Sequence, residues 1–478
     1  MATYYVRKDG NDTTGNGSTG TPWLTIKKAV ATVTNGDTIK VGNGTYAEDD
    51  FGSLALKRVF TAYVTIEPEL GALGDVTITT TSGTIGTWVS ASAAYYKFRY
   101  IKFTTIAGAA NAFRINEAAD HIDFEYCTFT PVNDAASTIF IYDSGAWNVS
   151  NITFTNCTIN KPASSVNHAC LSIGFASTGV SSNFQFINCT ITGIKYAASL
   201  SGADGIIFNG CTITADTNNA ISITDSPDGL QILNCTVNSA LASLYANGAT
   251  NLVITGGTFT NTGNAPIISL GLNSHTGGVA TTATITGCTL VKTSGTGHGL
   301  LLGNGCVNCV ITSVYCDLCY DYAVVIKECD TNTVTSCNLK AGEVTTFGAA
   351  LYCKAATNAT ITYNTLRTSK HAAFQMLIGD TGNKNQNVTF THNKLLGSGT
   401  GALYNVCNDD GDLGGGVFDY NTYKAKGTGK FGAVRNDADV QSLAELRAAW
   451  ADYDVTTNDS HSKMWSDAGA MLLFMKKR

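Results

Sequence analysis

The sequence predicts an all-β fold: one single-stranded, right-handed parallel β-helix of about 12–13 coils, with short helical caps at both ends. Three observations predict it. A short phrase recurs at intervals too long for a heptad and too short for a domain. Within each copy, apolar residues alternate with polar ones. The composition is rich in turn formers and poor in charge, with 49 Gly and only 14% charged residues, which suits tightly turned β-structure and not helices.

The phrase runs apolar, any, apolar, two residues, Cys or Asn, any, apolar. It reads Ile122, Phe124, Cys127, Phe129 and returns as Ile152, Phe154, Cys157, Ile159 and as Phe184, Phe186, Cys189, Ile191. Further copies centre on Cys211, Cys235, Gly257, Cys288 and Cys337, and later ones on Asn364, Asn393 and Asn421. A degenerate copy ends at Ile101, and near Val314 either Val314 or Cys316 fits. From Ile101 to Asn421 the 12 intervals average about 27 residues, with extremes of 22 and 32, a period that belongs to solenoids. Period-two alternation of Val, Ile, Thr, Phe and Tyr excludes helical repeats. Equivalent residues of successive coils then lie about 4.8 Å apart and stack into ladders. Asn can hydrogen-bond along such a stack, and Cys can fill it as a small hydrophobe.

A solenoid needs caps. Residues 1–52 form the N-terminal one: Trp23 to Ala31 has helical spacing, Asn35-Gly36 stops it, and Asp37 to Val41 alternates as a first strand. Residues 53–438 are the coils. Residues 439–478 close the far end, with a capping box at Ser442 and Glu445 and an apolar helix face of Leu443, Leu446, Ala449 and Trp450.

The net charge of −6 and the absence of a basic run beyond Lys476 to Arg478 argue against nucleic acid as a partner. The apolar run Met471 to Met475 is too short to span a bilayer. Met1 to Val6 reads as a strand and lacks an export signal's pattern. Seven of the 15 Cys occupy one phase of the repeat, so the expectation is buried thiols in a protein made in a reducing cytoplasm. Cys306/Cys309 and Cys316/Cys319 have zinc-like spacing, but alternation turns Cys309 inward beside Ile311, against a zinc site.

The segment Tyr4 to Asp12, then Gly20 to Ala29, Gly36 to Val41 and Gly44-Thr45-Tyr46, resembles the opening segment of the pectate-lyase-like β-helix superfamily, and Asp459 to Ser462 is similar to its closing phrase. With the repeats between, the resemblance covers nearly the whole chain. It implies a surface polysaccharide as partner and a tailspike-like bacteriophage virion protein that binds, and in some members cleaves, that glycan. The alternatives it leaves open are a stand-alone polysaccharide lyase or glycoside hydrolase, and a non-enzymatic structural or decoration protein. Virion location, with extracellular as the alternative, and a homotrimer or attachment to other virion proteins are further implications.

Lyases of that superfamily use Lys or Arg as base, a second cation, and in some cases Ca²⁺; hydrolases use paired carboxylates. Three clusters offer such groups. Arg367, Lys370 and His371 follow the Asn364 turn; a solvated turn is the alternative. Asp409, Asp410 and Asp412 lie in a Gly-rich loop with the oxygen donors Ca²⁺ needs; an acidic surface turn is the alternative. Glu328, Asp330, Lys354 and Asp380 form the third, with Glu328 and Lys354 at one phase if Asn332 and Asn358 are equivalent; a structural ion pair is the alternative. Glu328, Lys354, Arg367, Lys370 and His371 are thus the catalytic candidates. Tyr352, Tyr404 and Asp380 are candidate sugar contacts, as are Tyr420 and Tyr423, unless the rings join a core ladder.

Overall fold

Alternation is realised coil by coil. The strand Asp120–Glu125 buries Ile122 and Phe124 and turns Asp123 and Glu125 outward. Tyr126 then enters the left-handed region with φ 56° and bends the chain, so that Cys127 points inward. The strand Thr128–Phe129 buries Phe129. A third strand, Ser137–Asp143, closes the coil, and the next begins at Ser150–Thr155. Repetition builds three sheets, here termed first, second and third in this order, parallel except where Gly432–Val434 meets Ala438–Val440 at the end of the third. The fold is a right-handed parallel β-helix.

The computed structural model describes residues 1–48, 58–79, 87–89, 93–104, 111–116, 118–131, 137–143, 148–161, 169–175, 182–202, 204–224, 228–271, 281–317, 319, 321–340, 348–370, 372–377, 385–398, 404–407, 416–426, 432–434, 438–440, 444, 457–458 and 462–465. Two compact units divide it, Met1–Asn238 and Ser239–Arg478.

In the first unit the helix Ile26–Thr32 buries Ile26, Ala29 and Val30. Thr25 caps it by accepting the Lys28 amide at 3.1 Å. The buried Glu48 carboxylate accepts the Ile26 and Lys27 amides at 2.7 and 3.1 Å, so the first free N–H groups of the helix are met. Inside the coils Phe98, Phe124, Phe154, Phe186 and Phe208 stack in one column with centroids 4.7–5.2 Å apart. Alongside it, Cys127, Cys157, Cys189 and Cys211 are about 1% exposed. Each Sγ donates to a carbonyl of the preceding coil, as Cys157 does to Phe124 O at 3.4 Å and Cys211 to Phe186 O at 3.1 Å.

In the second unit Cys288 and Cys337 still hold that position, and Asn364, Asn393 and Asn421, all buried, take it in the later coils. Val314, not Cys316, holds it in the ambiguous copy, because Thr289 pairs with Tyr315 and Leu290 with Cys316. Cys316 instead joins Cys319 in a disulfide. That corrects the expectation of thiols throughout; Cys316 faces into the coil, and Cys319, three residues on, is buried as well. Twelve of the remaining cysteines are free and buried. Of the expected C-terminal cap, only Ala444 among the helix positions is described, and Met471 to Phe474 lie outside the described residues.

Candidate functional site

The register places every outward residue, and two outer surfaces of the units carry organised charge.

In the first unit the outer face of the first sheet carries alternating charges in stacked coils. Lys40 pairs with Glu67 at 2.6 Å, Arg99 reaches Glu67 at 3.3 Å and Glu125 at 2.8 Å, and Lys97 reaches Glu125 at 2.9 Å and Asp123 at 3.4 Å. Burial raises the Glu125 carboxyl, but Lys97 and Arg99 more than offset it and hold the group below its ordinary range. Burial raises Asp123 and prevails there over Lys97. Three cations face three carboxylates, so the column is self-neutralised. It fastens coils and leaves little charge for a ligand.

The second unit carries charge on another sheet. On the outer face of its second sheet, Lys340 stacks on Asp317 and Arg367 on Lys340. Arg367 is followed in its column by Leu396 and then Lys424. Lys394 sits in the neighbouring column, between Thr365 and Thr422. Four successive coils therefore each supply one cation: Lys340, Arg367, Lys394 and Lys424. Lys340 contacts Asp317 at 3.4 Å. Arg367 and Lys394 are exposed.

Beside this strip, Tyr363, His392 and Tyr420 occupy the left-handed turn that precedes each second-sheet strand, with φ of 59°, 59° and 56°. That backbone state costs a non-glycine residue about 1–2 kcal/mol. The rings stack at 4.8 Å on both sides of His392, which returns about 0.5–1.5 kcal/mol per pair. Both faces of His392 are covered, so the stack offers no sugar platform at its centre.

The sequence-derived candidates scatter. Arg367 lies in the cation strip, and Lys370 is exposed three residues beyond it. His371, Asp380, Asp409, Asp410 and Asp412 lie outside the described residues, as does the Tyr404 side chain. Tyr352 is only 8% exposed; it stacks on Tyr322 at 4.6 Å and packs with Leu301 and Val325 on the outer face of the third sheet. It takes the buried role left open by the sequence, as does Tyr423. The proposed phase of Glu328 and Lys354 is off by one: Lys327 pairs with Lys354, Thr331 and not Asn332 is level with Asn358, and the Glu328 amide donates to Lys354 O at 2.8 Å. Glu328 and Asp330 instead border a cleft of about 410 Å³ with Cys306, Cys329 and Gln386. Asn358 donates to Asp330 at 2.8 Å there. Among the described residues no three His, Cys, Asp or Glu side chains converge as a metal site, and no helix is long and apolar enough to cross a membrane.

Residues 111–277 match the family described as right handed beta helix region. No characterised protein sequence matches the chain. Similar solved structures include pectate lyase Pel9A, at 13% identity over 62% of this chain and 77% of that one, TM-score 0.43. Another is tailspike protein 3 of bacteriophage CBA120, at 9% identity over 83% and 61%, TM-score 0.42. A third is a mannuronic acid specific polysaccharide family 6 lyase from human gut microbiota, at 12% identity over 96% and 92%, TM-score 0.43.

Proposed function

We propose that this right-handed parallel β-helix protein binds an acidic polysaccharide along the outer face of the second sheet of its second unit. The observation that carries the reading is the register that sets Lys340, Arg367 and Lys424 in one column, with Lys394 in the column beside it. A polymer bearing one carboxylate per sugar meets such a strip at several points at once. Individually weak, exposed ion pairs then add up through linkage. The chain's net charge of −6 opposes indiscriminate attraction of polyanions, so the strip's geometry has to select the partner. The setting that fits is a glycan-facing one: a virion surface, in the manner of a tailspike, or the extracellular space.

The test is binding of a polyuronate and of a neutral glucan by the full chain, measured by calorimetry at two salt concentrations. The polyuronate is expected to bind, more weakly at higher salt. The double variant Arg367→Ala, Lys394→Ala is expected to lose at least tenfold. Equal binding of the glucan, or an unaffected double variant, overturns the reading.

A further inference from the structure

Lys292 is a cation of the second unit that the exposed strip does not use. It ends the second-sheet strand Thr289–Lys292, and Asn261 ends the strand of the preceding coil, Thr258–Asn261. The register pairs the two residues directly. Alternation turns both inward, and Asn261 is 0% and Lys292 1% exposed. A lysine is almost never so buried unless it is paired. Here Nζ donates to Asn261 Oδ1 at 2.8 Å, Gly263 O at 2.5 Å and Ala265 O at 3.0 Å. All three are neutral oxygens. Asp321 acts on the ammonium through its field; its Oδ2 accepts the Gly297 amide at 2.8 Å and lies 4.0 Å from His298 Nδ1.

The carboxamide of Asn261 is held as firmly. Its Nδ2 donates to Leu241 O and, at 2.9 Å, to Ala265 O. Ala265 O therefore contacts both nitrogens and keeps the amine beside the carboxamide nitrogen. The carbonyl carbon Cγ is one C=O bond, about 1.2 Å, from the oxygen that Nζ touches. Burial lowers Lys292 to about 8, beyond what Asp321 restores, so part of the population carries a free, nucleophilic amine near neutral pH. Two groups fixed side by side in this way react as if at very high concentration.

We propose that Lys292 and Asn261 join spontaneously in an isopeptide bond that clasps consecutive coils of the second unit. The Lys292 amine attacks Asn261 Cγ, the bond from Cγ to Nδ2 breaks, and an amide forms between Nζ and Cγ. Of the three protons on the ammonium, one stays on the new amide nitrogen. The other two leave with Nδ2, which departs as an ammonium ion. Atoms and charge balance, and no oxidant, reductant or cofactor is consumed. A buried cation is exchanged for one in solvent, which removes the cost of holding a charge among neutral groups. The bond closes a loop across a sequence separation of 31, at the point where the chain leaves the second sheet for the third.

The test is a mass-spectrometric map of the full chain after incubation in mildly alkaline buffer, with disulfides reduced before digestion. Between Lys195 and Lys292 there is no Lys or Arg, and the next after Lys292 is Lys327. Trypsin therefore cuts behind Lys292 only while its amine is free. The expected product is an uncut peptide 196–327 that is lighter by about 17 Da, the mass of ammonia, with the same loss in the intact chain. Lys292→Met and Asn261→Ala are each expected to abolish that loss. A wild-type chain that keeps its full mass and is cut behind Lys292 overturns the proposal, whether or not the variants fold. A loss of ammonia that persists in Lys292→Met comes from ring closure of an asparagine on its own backbone and overturns it as well.

Discussion

The Asn364 amide donates to Asn393 Oδ1 at 2.9 Å, and Asn364 Nδ2 reaches the same oxygen at 3.0 Å. The two residues are 29 positions apart and occupy one layer position in consecutive coils. The pattern runs on: Cys337 N–H donates to Asn364 Oδ1 at 2.9 Å, Asn393 N–H to Asn421 Oδ1 at 2.9 Å, and Asn421 N–H to Ser462 Oγ at 2.7 Å. Each buried turn amide thus meets a side-chain oxygen from the next coil. Ser462, from the closing phrase Asp459 to Ser462, ends the run.

Removing one rung should therefore cost more than its volume. Asn393→Ala leaves the Asn364 amide without a partner and removes the bond from Asn393 Nδ2 to Ile361 O. At about 1–3 kcal/mol for a stranded buried group, the expected loss is about 1–3 kcal/mol in denaturant unfolding. Asn393→Cys should lose less, because Cys211 Sγ in the first unit both donates to Phe186 O and accepts the Cys189 amide at 3.4 Å. Equal losses would contradict the shared role.

The phenylalanine column should be as sensitive. Phe154 is fully buried between Phe124 and Phe186. Phe154→Ala is expected to destabilise the first unit by about 3–5 kcal/mol. Thr153→Ala, on the outward face of the same strand, should cost under about 0.5 kcal/mol. Chemical denaturation of both variants measures the contrast.

Acid should act in two windows. His298 has an unfolded value near 6.5 and a folded one of about 4, so below pH of about 6.5 the unfolded chain binds the extra proton and stability falls until about pH 4. His298→Gln should flatten that window. Glu69 is held below its ordinary value first by its hydrogen bond to Arg7. Its contribution is present above the ordinary carboxylate range and is lost as pH falls through the folded value. Arg7→Ala should reduce the loss in that lower window. Melting temperatures at stepped pH report both.

Reductant should change little. The Cys316–Cys319 bridge spans a sequence separation of 3, and closing so short a loop removes little chain entropy. The expected shift in melting temperature with dithiothreitol is below about 2 °C. The twelve buried thiols should resist a thiol-reactive dye until the protein is denatured. Burial raises Cys170 and Cys288 to about 12, so the reactive thiolate is scarce.

The single coil is legible from residues close together in the chain. The alternation at Ile122 and Phe124, the inward Cys127 and the following Phe129 lie within eight residues, so the first and second sheets and the turn between them are written locally. The third sheet, which follows connections of varying length, was not legible in that way. Which outward residues meet depends on the register between coils. A slip of one residue turns a side chain to the opposite face of a sheet, and the one-residue error between Glu328 and Lys354 is such a slip. His298 and Asp321 are 23 residues apart, whereas the mean period would have set His298 opposite Val325. The lengths of individual coils, not the repeat, bring the imidazole to its carboxylate and line up Lys340, Arg367 and Lys424.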